Sequence, residues 1–175
     1  MIPVLETERL TLRAPEMADQ AVYAGFLARA DGPSAFYGGP LREDQAFQRL
    51  AADLGHWHLR GHGKWMVVER ATGRAVGGCG LVQPTGWPRH ELTWWLIEDA
   101  RGQGYATEAS RAAIAWGYAH GFDPVETHMR DENAAAHALA KRLGGRLIAR
   151  ETFPDGATRD VYALPQPVAA ERRSA

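Results

Sequence analysis

The sequence has few cysteines, no long apolar run and no excess of charge of either sign. Its single cysteine, Cys79, argues against an internal disulfide framework and against a metal site built from several cysteines. No stretch approaches the roughly eighteen consecutive apolar residues of a membrane span. The first ten residues contain neither a basic nor an apolar signal region. We therefore expect a cytoplasmic protein with no membrane partner.

The charges of the chain nearly cancel. Among 175 residues, Lys and Arg number 20 and Asp and Glu number 21, and 45% of the residues are hydrophobic. This composition is typical of a folded soluble domain and predicts no nucleic-acid partner. The length fits one domain of ordinary size. We expect that domain over residues 1–164, followed by a flexible C-terminal tail over residues 165–175 that has no periodic apolar face.

The spacing of apolar residues predicts an alternation of strands and helices. Period-two alternation predicts a strand over residues 9–13, and three- and four-residue spacing predicts helices over residues 16–30 and 42–60. In the second helix the apolar face comprises Phe47, Leu50, Leu54 and Trp57. The other predicted elements are strands at 65–69, 75–82, 91–97, 125–130, 146–151 and 159–164, and helices at 104–120 and 133–143.

This order of elements, with about seven strands and about four helices, predicts an α+β fold of mixed layers. Residues 91–130 form a local β-α-β unit, whose crossover should be right-handed. Gly77, Gly78 and Gly80 interrupt the strand at residues 75–82 and indicate a bulge or a close backbone approach.

The clearest functional signal is a glycine-rich loop between a strand end and a helix start, at residues 98–109. Gly102, Gly104 and Ala106 leave the loop backbone uncovered, and a helix N-terminus favours a phosphate. The alternative is that the glycines only make a tight turn. A Walker loop is absent, and a dinucleotide fingerprint would need a third glycine where Thr107 stands, although Glu126 lies near the distance of the expected acidic residue.

Residues 101–106, RGQGYA, match the pyrophosphate loop of the GNAT superfamily of acyl-CoA-dependent N-acyltransferases. That loop consists of Gln or Arg, two variable residues, Gly, one variable residue, and Gly or Ala. Flanking segments are similar to the branch that includes ribosomal-protein N-terminal acetyltransferases: ERLTLR at 8–13, the strand at Trp65, the turn at Thr72 and Gly73, Asn133, and LAKRLG at 139–144. The resemblance covers residues 8–164.

The resemblance implies a twisted mixed sheet with a V-shaped splay between two central parallel strands, and acetyl-CoA as acyl donor in the gap. It implies that loop amides hold the pyrophosphate and that the strand before the loop pairs with the pantetheine arm. The implied cofactor-binding residues are Trp95, Leu96, Ile97, Arg101, Gly102, Gln103, Gly104, Tyr105, Ala106, Thr107 and Asn133.

The activity implied is an acetyl-CoA-dependent N-acetyltransferase that acts on a primary amine of a small molecule or a peptide N-terminus, by direct attack in a ternary complex. Glu91 is the leading candidate for the catalytic base and His90 the second, and strand alternation directs the two to opposite faces. A backbone N–H of residues 94–97 is the expected oxyanion donor. Of Trp94 and Trp95, one should face the acyl cleft.

The family's usual acid and serine positions hold Ala140 and Ala136, so the leaving thiolate is protonated by solvent, by Tyr162 or by another group. These alanines also favour a second hypothesis, a non-catalytic acyl-CoA-binding or sensing module. A nucleotide- or NAD-binding domain is a third reading.

Other signals support weaker expectations. His56, His58 and His62 resemble a metal cluster, but we read them as surface histidines and expect no metal. Cys79 is read as a small buried residue, and Tyr105 as a packing residue of the loop. Residues 36–40 line an acceptor pocket or form only a loop. Exposed edge strands near the C-terminus would permit a homodimer.

Overall fold

The computed structural model describes residues 1–29 and 35–167, and this part of the chain contains eight strands and four α-helices. The strands are β1 (Leu5–Glu6), β2 (Leu10–Arg13), β3 (Lys64–Glu69), β4 (Ala75–Val82), β5 (Glu91–Leu96), β6 (Val125–Met129), β7 (Arg146–Thr152) and β8 (Thr158–Leu164). The helices are α1 (Gln20–Leu27), α2 (Glu43–Arg60), α3 (Tyr105–Ala119) and α4 (Ala134–Arg142).

The strands form two antiparallel sheets that meet at β5 and β6. One sheet has the order β1-β2-β3-β4-β5 and the other has the order β6-β8-β7. Helix α3 connects β5 to β6, which run parallel. Two hydrogen bonds join their first residues: Thr127 Oγ1 donates to Leu92 O at 2.9 Å, and Glu126 N donates to His90 Nε2 at 3.2 Å. The predicted α+β fold of mixed layers is therefore confirmed.

Alternation along β5 divides the core into two layers. Leu92 packs with α3 in a cluster that includes Trp57 and Ile114, whereas Trp95 packs with Tyr23 and Phe26 under α1 and α2. The elements predicted from the sequence are present within a few residues. Two details differ: the short strand β1 was not predicted, and Phe47 is 42% exposed because it lies at the edge of the apolar face of α2.

The glycines of β4 permit a close approach of neighbouring groups, as the sequence indicated. A Cβ at Gly78 would lie 2.5 Å from Nε1 of Trp95, and one at Gly80 would lie 2.1 Å from the carbonyl oxygen of Gly63. No side chain fits in either place without displacing a neighbour. The absence of a side chain at Gly78 lets the indole of Trp95 pack against the backbone of β4.

Two expectations fall partly outside the described residues. The tail was expected from residue 165, and its residues 168–175 are not described. The first helix was expected to reach Ala30, which is also not described, whereas α1 ends at Leu27. None of the helices in the described part is long and apolar enough to cross a membrane.

The contrast between two glycines tests this packing. Gly80→Ala should lower the free energy of unfolding by about 1–3 kcal/mol, because its methyl group would overlap the backbone of Gly63. Gly55→Ala is the matched control, since Gly55 lies within α2 with open space around it and should gain about 0.5–1 kcal/mol. Urea denaturation measures both. Equal stability of Gly80→Ala and the wild type would contradict this account of β4.

Candidate active site

The loop before α3 presents a row of free backbone N–H groups. Within the described residues, the N–H groups of residues 102–107 donate to no protein acceptor, and Glu108 is the first to donate to a carbonyl, that of Gly104. Gly102 and Gly104 have φ angles of +75° and +83°, so both glycines are needed for the turn. The glycines therefore do make a tight turn. The same turn leaves the amides at the helix N-terminus free to bind an anion.

Arg9, the residue before β2, holds this loop in place. Its Nη1 donates to the carbonyl of Gln103 at 2.9 Å and its Nε donates to the carboxylate of Glu108 at 2.7 Å. The hydroxyl of the buried Tyr105 donates to Glu69, which confirms Tyr105 as a packing residue. The role of Arg9 was missed, because only the fold brings the first strands next to residue 103.

The free edge of β5 faces β6. Ile97 N donates to Val76 O at 3.0 Å, so alternation directs Ile97 and Trp95 toward β4. The backbone groups of Trp94 and Leu96 point to the other side, into the gap between the sheets. Of the three residues expected to pair with a ligand here, Leu96 directs its backbone groups into the gap, whereas Trp95 and Ile97 direct theirs toward β4.

Along that edge, side chains donate the hydrogen bonds that a neighbouring strand would otherwise supply. The carbonyls of β5 that face the gap receive hydrogen bonds from Thr127 Oγ1 to Leu92 O at 2.9 Å, from Tyr37 OH to Trp94 O at 2.6 Å, and from Arg101 Nε to Leu96 O at 3.0 Å. The carbonyls are thus satisfied, while the N–H groups of Trp94 and Leu96 have no strand partner in β6. The edge can therefore donate to a ligand that lies in the gap.

Trp94 is the tryptophan that faces the gap. Its ring packs against a small cluster of Met129, Ala136, Ala140 and Tyr162. Ala140 is completely buried, which explains why a larger residue is absent at this position. Trp95 instead stacks on Phe26 with ring centroids 4.6 Å apart.

Glu91 begins β5 on the face opposite to Trp94, with its side chain 22% exposed. Desolvation by burial raises the pKa of Glu91 to about 8, although Arg159 and Lys64 act in the opposite direction. His128 in β6 lies close to this carboxyl group, with its Nε2 3.7 Å from Glu91 Oε2. A carboxyl group that exchanges its proton near neutral pH can act as a general base.

A polar network lies beside Glu91 on the same face. Lys64 Nζ is 2.9 Å from Asp53 and 5.2 Å from the ring centroid of Tyr37. The hydroxyl of Tyr37 is 2.6 Å from that of Thr93. The loop at residues 36–40 therefore contributes Tyr37 to the surroundings of Glu91, although Phe36 is exposed.

His90 lies on the other side of the strand from Glu91. Its Nε2 accepts the N–H of Glu126, and burial lowers the pKa of His90. A nitrogen that already accepts a backbone hydrogen bond is a poor base, so His90 holds β5 to β6. It also lines a cavity of about 510 Å³ in which Arg89 bridges Glu126 and Glu151 at 2.8 and 2.6 Å.

Asn133 and Thr107 lie where α4 and α3 begin. Asn133 Oδ1 caps α4 by accepting the N–H of Ala136 at 3.2 Å. Thr107 Oγ1 accepts a hydrogen bond from Arg142 at 3.4 Å. These two contacts place Asn133 at the first turn of α4 and connect the end of α4 to the start of α3.

The histidines that resembled a metal cluster bind backbone carbonyls. Nδ1 of His56 is 2.6 Å from the carbonyl of His62, and Nδ1 of His62 is 3.0 Å from that of Leu81. The rings of His56 and His62 are part-buried and 4.7 Å apart, so these two are not the surface histidines that were expected, whereas His58 is exposed as expected. Loop closure by Gly61 brings them together.

A second polar cluster is neutralised by an arginine. Asp131, His137 and Asp160 lie close enough to hold an ion, but Arg150 binds Asp131 at 2.6 Å and Asp160 at 2.8 Å. This cation already compensates both carboxylates. Cys79 is buried as expected, and desolvation raises the pKa of its thiol to about 12, so it is not a nucleophile.

Comparison with known proteins gives a consistent result. Residues 9–146 match the family described as acetyltransferase (GNAT) domain. The chain is 35% identical to a crystal structure of an acetyltransferase from Agrobacterium tumefaciens, covering 95% of this chain and 96% of that one, with a TM-score of 0.83.

Two more distant proteins have related folds or sequences. The N-acetyltransferase YoaA of Bacillus subtilis is 25% identical over 95% of this chain and 99% of its own length. The ribosomal-protein acetyltransferase RimL, solved in complex with coenzyme A, has 16% identity and a TM-score of 0.70, covers 94% of this chain and 99% of its own, and therefore supports the fold alone.

The raised pKa of Glu91 predicts a pH-dependent stability. Between the ordinary pKa of 4.5 and about 8, the folded chain binds more protons than the unfolded chain, so the free energy of unfolding falls as pH rises. Glu91→Gln removes this loss. The Tm of Glu91→Gln should therefore exceed that of the wild type by more at about pH 8.5 than at about pH 5.

Glu151→Gln is the control for that experiment. Its hydrogen bond to Arg89 holds the pKa of Glu151 below the ordinary value, so its contribution to stability is present at high pH. This variant should therefore have a slightly lower Tm than the wild type at about pH 8.5. A Tm difference for Glu91→Gln that does not change with pH would contradict the assignment.

Proposed function

Because the chain belongs to the GNAT acetyltransferase family, we propose that it transfers an acetyl group from acetyl-CoA to a primary amine, by direct attack of the amine in a ternary complex. The acceptor is an amine of a small molecule or of a peptide N-terminus. The observation that carries the proposal is that a loop with free amides and a partly buried carboxyl group lie at the two ends of β5.

The residues at the loop fit the donor. Amides of residues 102–107 donate to the pyrophosphate, with Arg101 and Gln103 shaping the loop. A Cβ at Gly102 meets nothing within 4 Å, so the backbone there is open to a ligand. The free side-chain amide of Asn133 contacts the donor from the start of α4. Acetyl-CoA supplies an activated thioester carbonyl, so that positioning and proton removal account for most of the acceleration.

The free edge of β5 orients the donor within the gap. Leu96 pairs with the pantetheine arm through its backbone, and the N–H of Trp94 donates to the carbonyl oxygen as negative charge develops on it. Trp94 also excludes water from the gap, because its ring covers the cluster that contains Tyr162. Tyr162 is our candidate for the group that protonates the leaving thiolate.

Glu91 is the proposed base. Its partial exposure permits contact with an amine, directly or through one water, and its pKa of about 8 suits removal of a proton near neutral pH. Activity should therefore increase as Glu91 loses its proton. Tyr37 and Lys64 form the wall against which the acceptor lies.

Donor binding is tested with two glycines that have the same backbone conformation. Gly102 and Gly156 have φ angles of +75° and +79°, and a Cβ meets nothing within 4 Å at either. Alanine should therefore cost a similar free energy at both, about 1–2 kcal/mol. Only Gly102→Ala should weaken CoA binding in isothermal titration calorimetry, by about tenfold or more. Unchanged affinity in Gly102→Ala would remove the loop from the donor site.

Activity is tested by release of free CoA from acetyl-CoA in the presence of spermidine, tyramine, or short peptides with Ser or Ala at the N-terminus. With the best of these amines, Glu91→Gln should lower kcat by about 10²–10⁴-fold and leave the affinity for CoA unchanged, because a general base contributes that much. Wild-type protein that binds CoA and acetylates none of them would contradict the proposal. Full activity of Glu91→Gln would contradict the role of Glu91.

A further inference from the structure

His128 differs from the other buried polar side chains of the described residues. It is the fourth of the five residues of β6, its side chain is 1% exposed, and neither ring nitrogen has a hydrogen-bond partner among the described residues. Buried polar atoms without a partner are rare in folded proteins, because the lost hydration is not compensated. Phenylalanine would fill the same space without that cost. The imidazole therefore needs another explanation than packing.

Two aromatic rings that also contact each other pack against the imidazole. The ring of His128 lies 4.3 Å from that of Phe153 and is stacked on that of Trp87 at 5.6 Å. The guanidinium of Arg159 lies 5.0 Å from the rings of both Trp87 and Phe153, and Asp155 binds Arg159 at 2.6 Å. The imidazole is thus packed against aromatic groups, and its nitrogen edge has no hydrogen-bond partner among the described residues.

That edge is directed at Glu91. Nε2 of His128 lies 3.7 Å from Oε2 of Glu91, which is just longer than a hydrogen bond. Catalytic hydrogen bonds are often long in the free enzyme and shorten in the complex with substrate. A shift of about one ångström in the Glu91 side chain would bring the two atoms into hydrogen-bond distance.

Burial, together with the surrounding positive charges, keeps His128 neutral. Burial lowers the pKa of His128 to about 3, and Arg159, Arg89 and His90 act in the same direction, whereas Asp155 opposes them. Glu91 faces Lys64 of β3 and Arg159 of β8 as well as His128. Around neutral pH the imidazole is thus an acceptor, and Glu91 is the group that gains or loses a proton.

We propose that His128 is a positioning residue for Glu91: its Nε2 accepts a hydrogen bond from the carboxyl group after Glu91 has taken a proton from the acceptor amine. This inference rests on the proposed function of Glu91 as base. The proton leaves the amine nitrogen, resides on Glu91 Oε2 while it is shared with Nε2, and then passes to solvent through the exposed part of the carboxyl group. His128 keeps its own Nδ1 proton throughout.

The first test replaces the imidazole with groups of similar volume. His128→Phe keeps the stacking with Phe153 and removes both nitrogens, so its Tm should equal or exceed that of the wild type, while kcat falls by about tenfold or more. KM for acetyl-CoA should change less than about twofold. His128→Gln restores a polar group near the position of Nε2 and should recover most of kcat. The amine used is the most active of those named above.

His120→Phe is the matched control. His120 is exposed and stacks on Trp116 at 4.1 Å, away from Glu91, so kcat should stay at the wild-type value. Equal kcat in His128→Phe and the wild type would overturn the proposal and assign His128 to packing alone.

A double-mutant cycle tests whether His128 acts through Glu91. In the Glu91→Gln background, His128→Phe should change kcat by less than about twofold, because the group that it positions is already absent. Independent losses that multiply would overturn the proposal.

Nitrogen NMR of the free protein gives a readout that needs no acceptor. The ¹⁵N shift of His128 Nε2 should change with a midpoint near that of Glu91, about 8, and this step should be absent in Glu91→Gln. A shift that stays flat through this range in the wild type would overturn the proposal. If no amine is acetylated, the proposed function fails, and this experiment still decides the contact between His128 and Glu91.

Discussion

The parallel contact between β5 and β6 is the constraint on which the rest of the molecule depends. It consists of two hydrogen bonds at the start of the strands, one of them from Thr127 to Leu92, and no ladder continues beyond them. The edge of β5 would otherwise expose unpaired backbone groups in a partly buried place, which is costly. Tyr37 and Arg101 satisfy its carbonyls, and the N–H groups remain for a ligand.

The two ends of β5 have opposite electrostatic characters. At its C-terminal end, free amides and the N-terminus of α3 favour negative charge, and Arg9 with Glu108 holds that loop in place. At its N-terminal end, desolvation disfavours the charge of Glu91 and keeps His128 neutral. One short strand thus connects a loop with free backbone amides to a carboxyl group with a raised pKa.

Several features that favour this site act against stability. The orphaned nitrogens of His128 and the desolvated carboxyl group of Glu91 each cost free energy in the folded state. Their surroundings compensate through packing: Phe153 and Trp87 pack against the imidazole, and Trp95 lies against the glycines of β4. Local cost within a well-packed scaffold is the usual arrangement of a functional site.

The sequence by itself determined the order of elements, the glycine loop and its likeness to the GNAT family, because these depend on local periodicity and on residues adjacent in the chain. Glu91 was predicted as the base from its place as the first residue of the strand that leads to the loop and from the likeness to the family, and this role stays a prediction. Only the tertiary structure brought together Arg9 with Gln103, and Glu91 with His128, since these pairs are far apart in the chain. It also decided that Trp94, and not Trp95, faces the gap, because strand alternation specifies two opposite faces but not which of them is buried under α1.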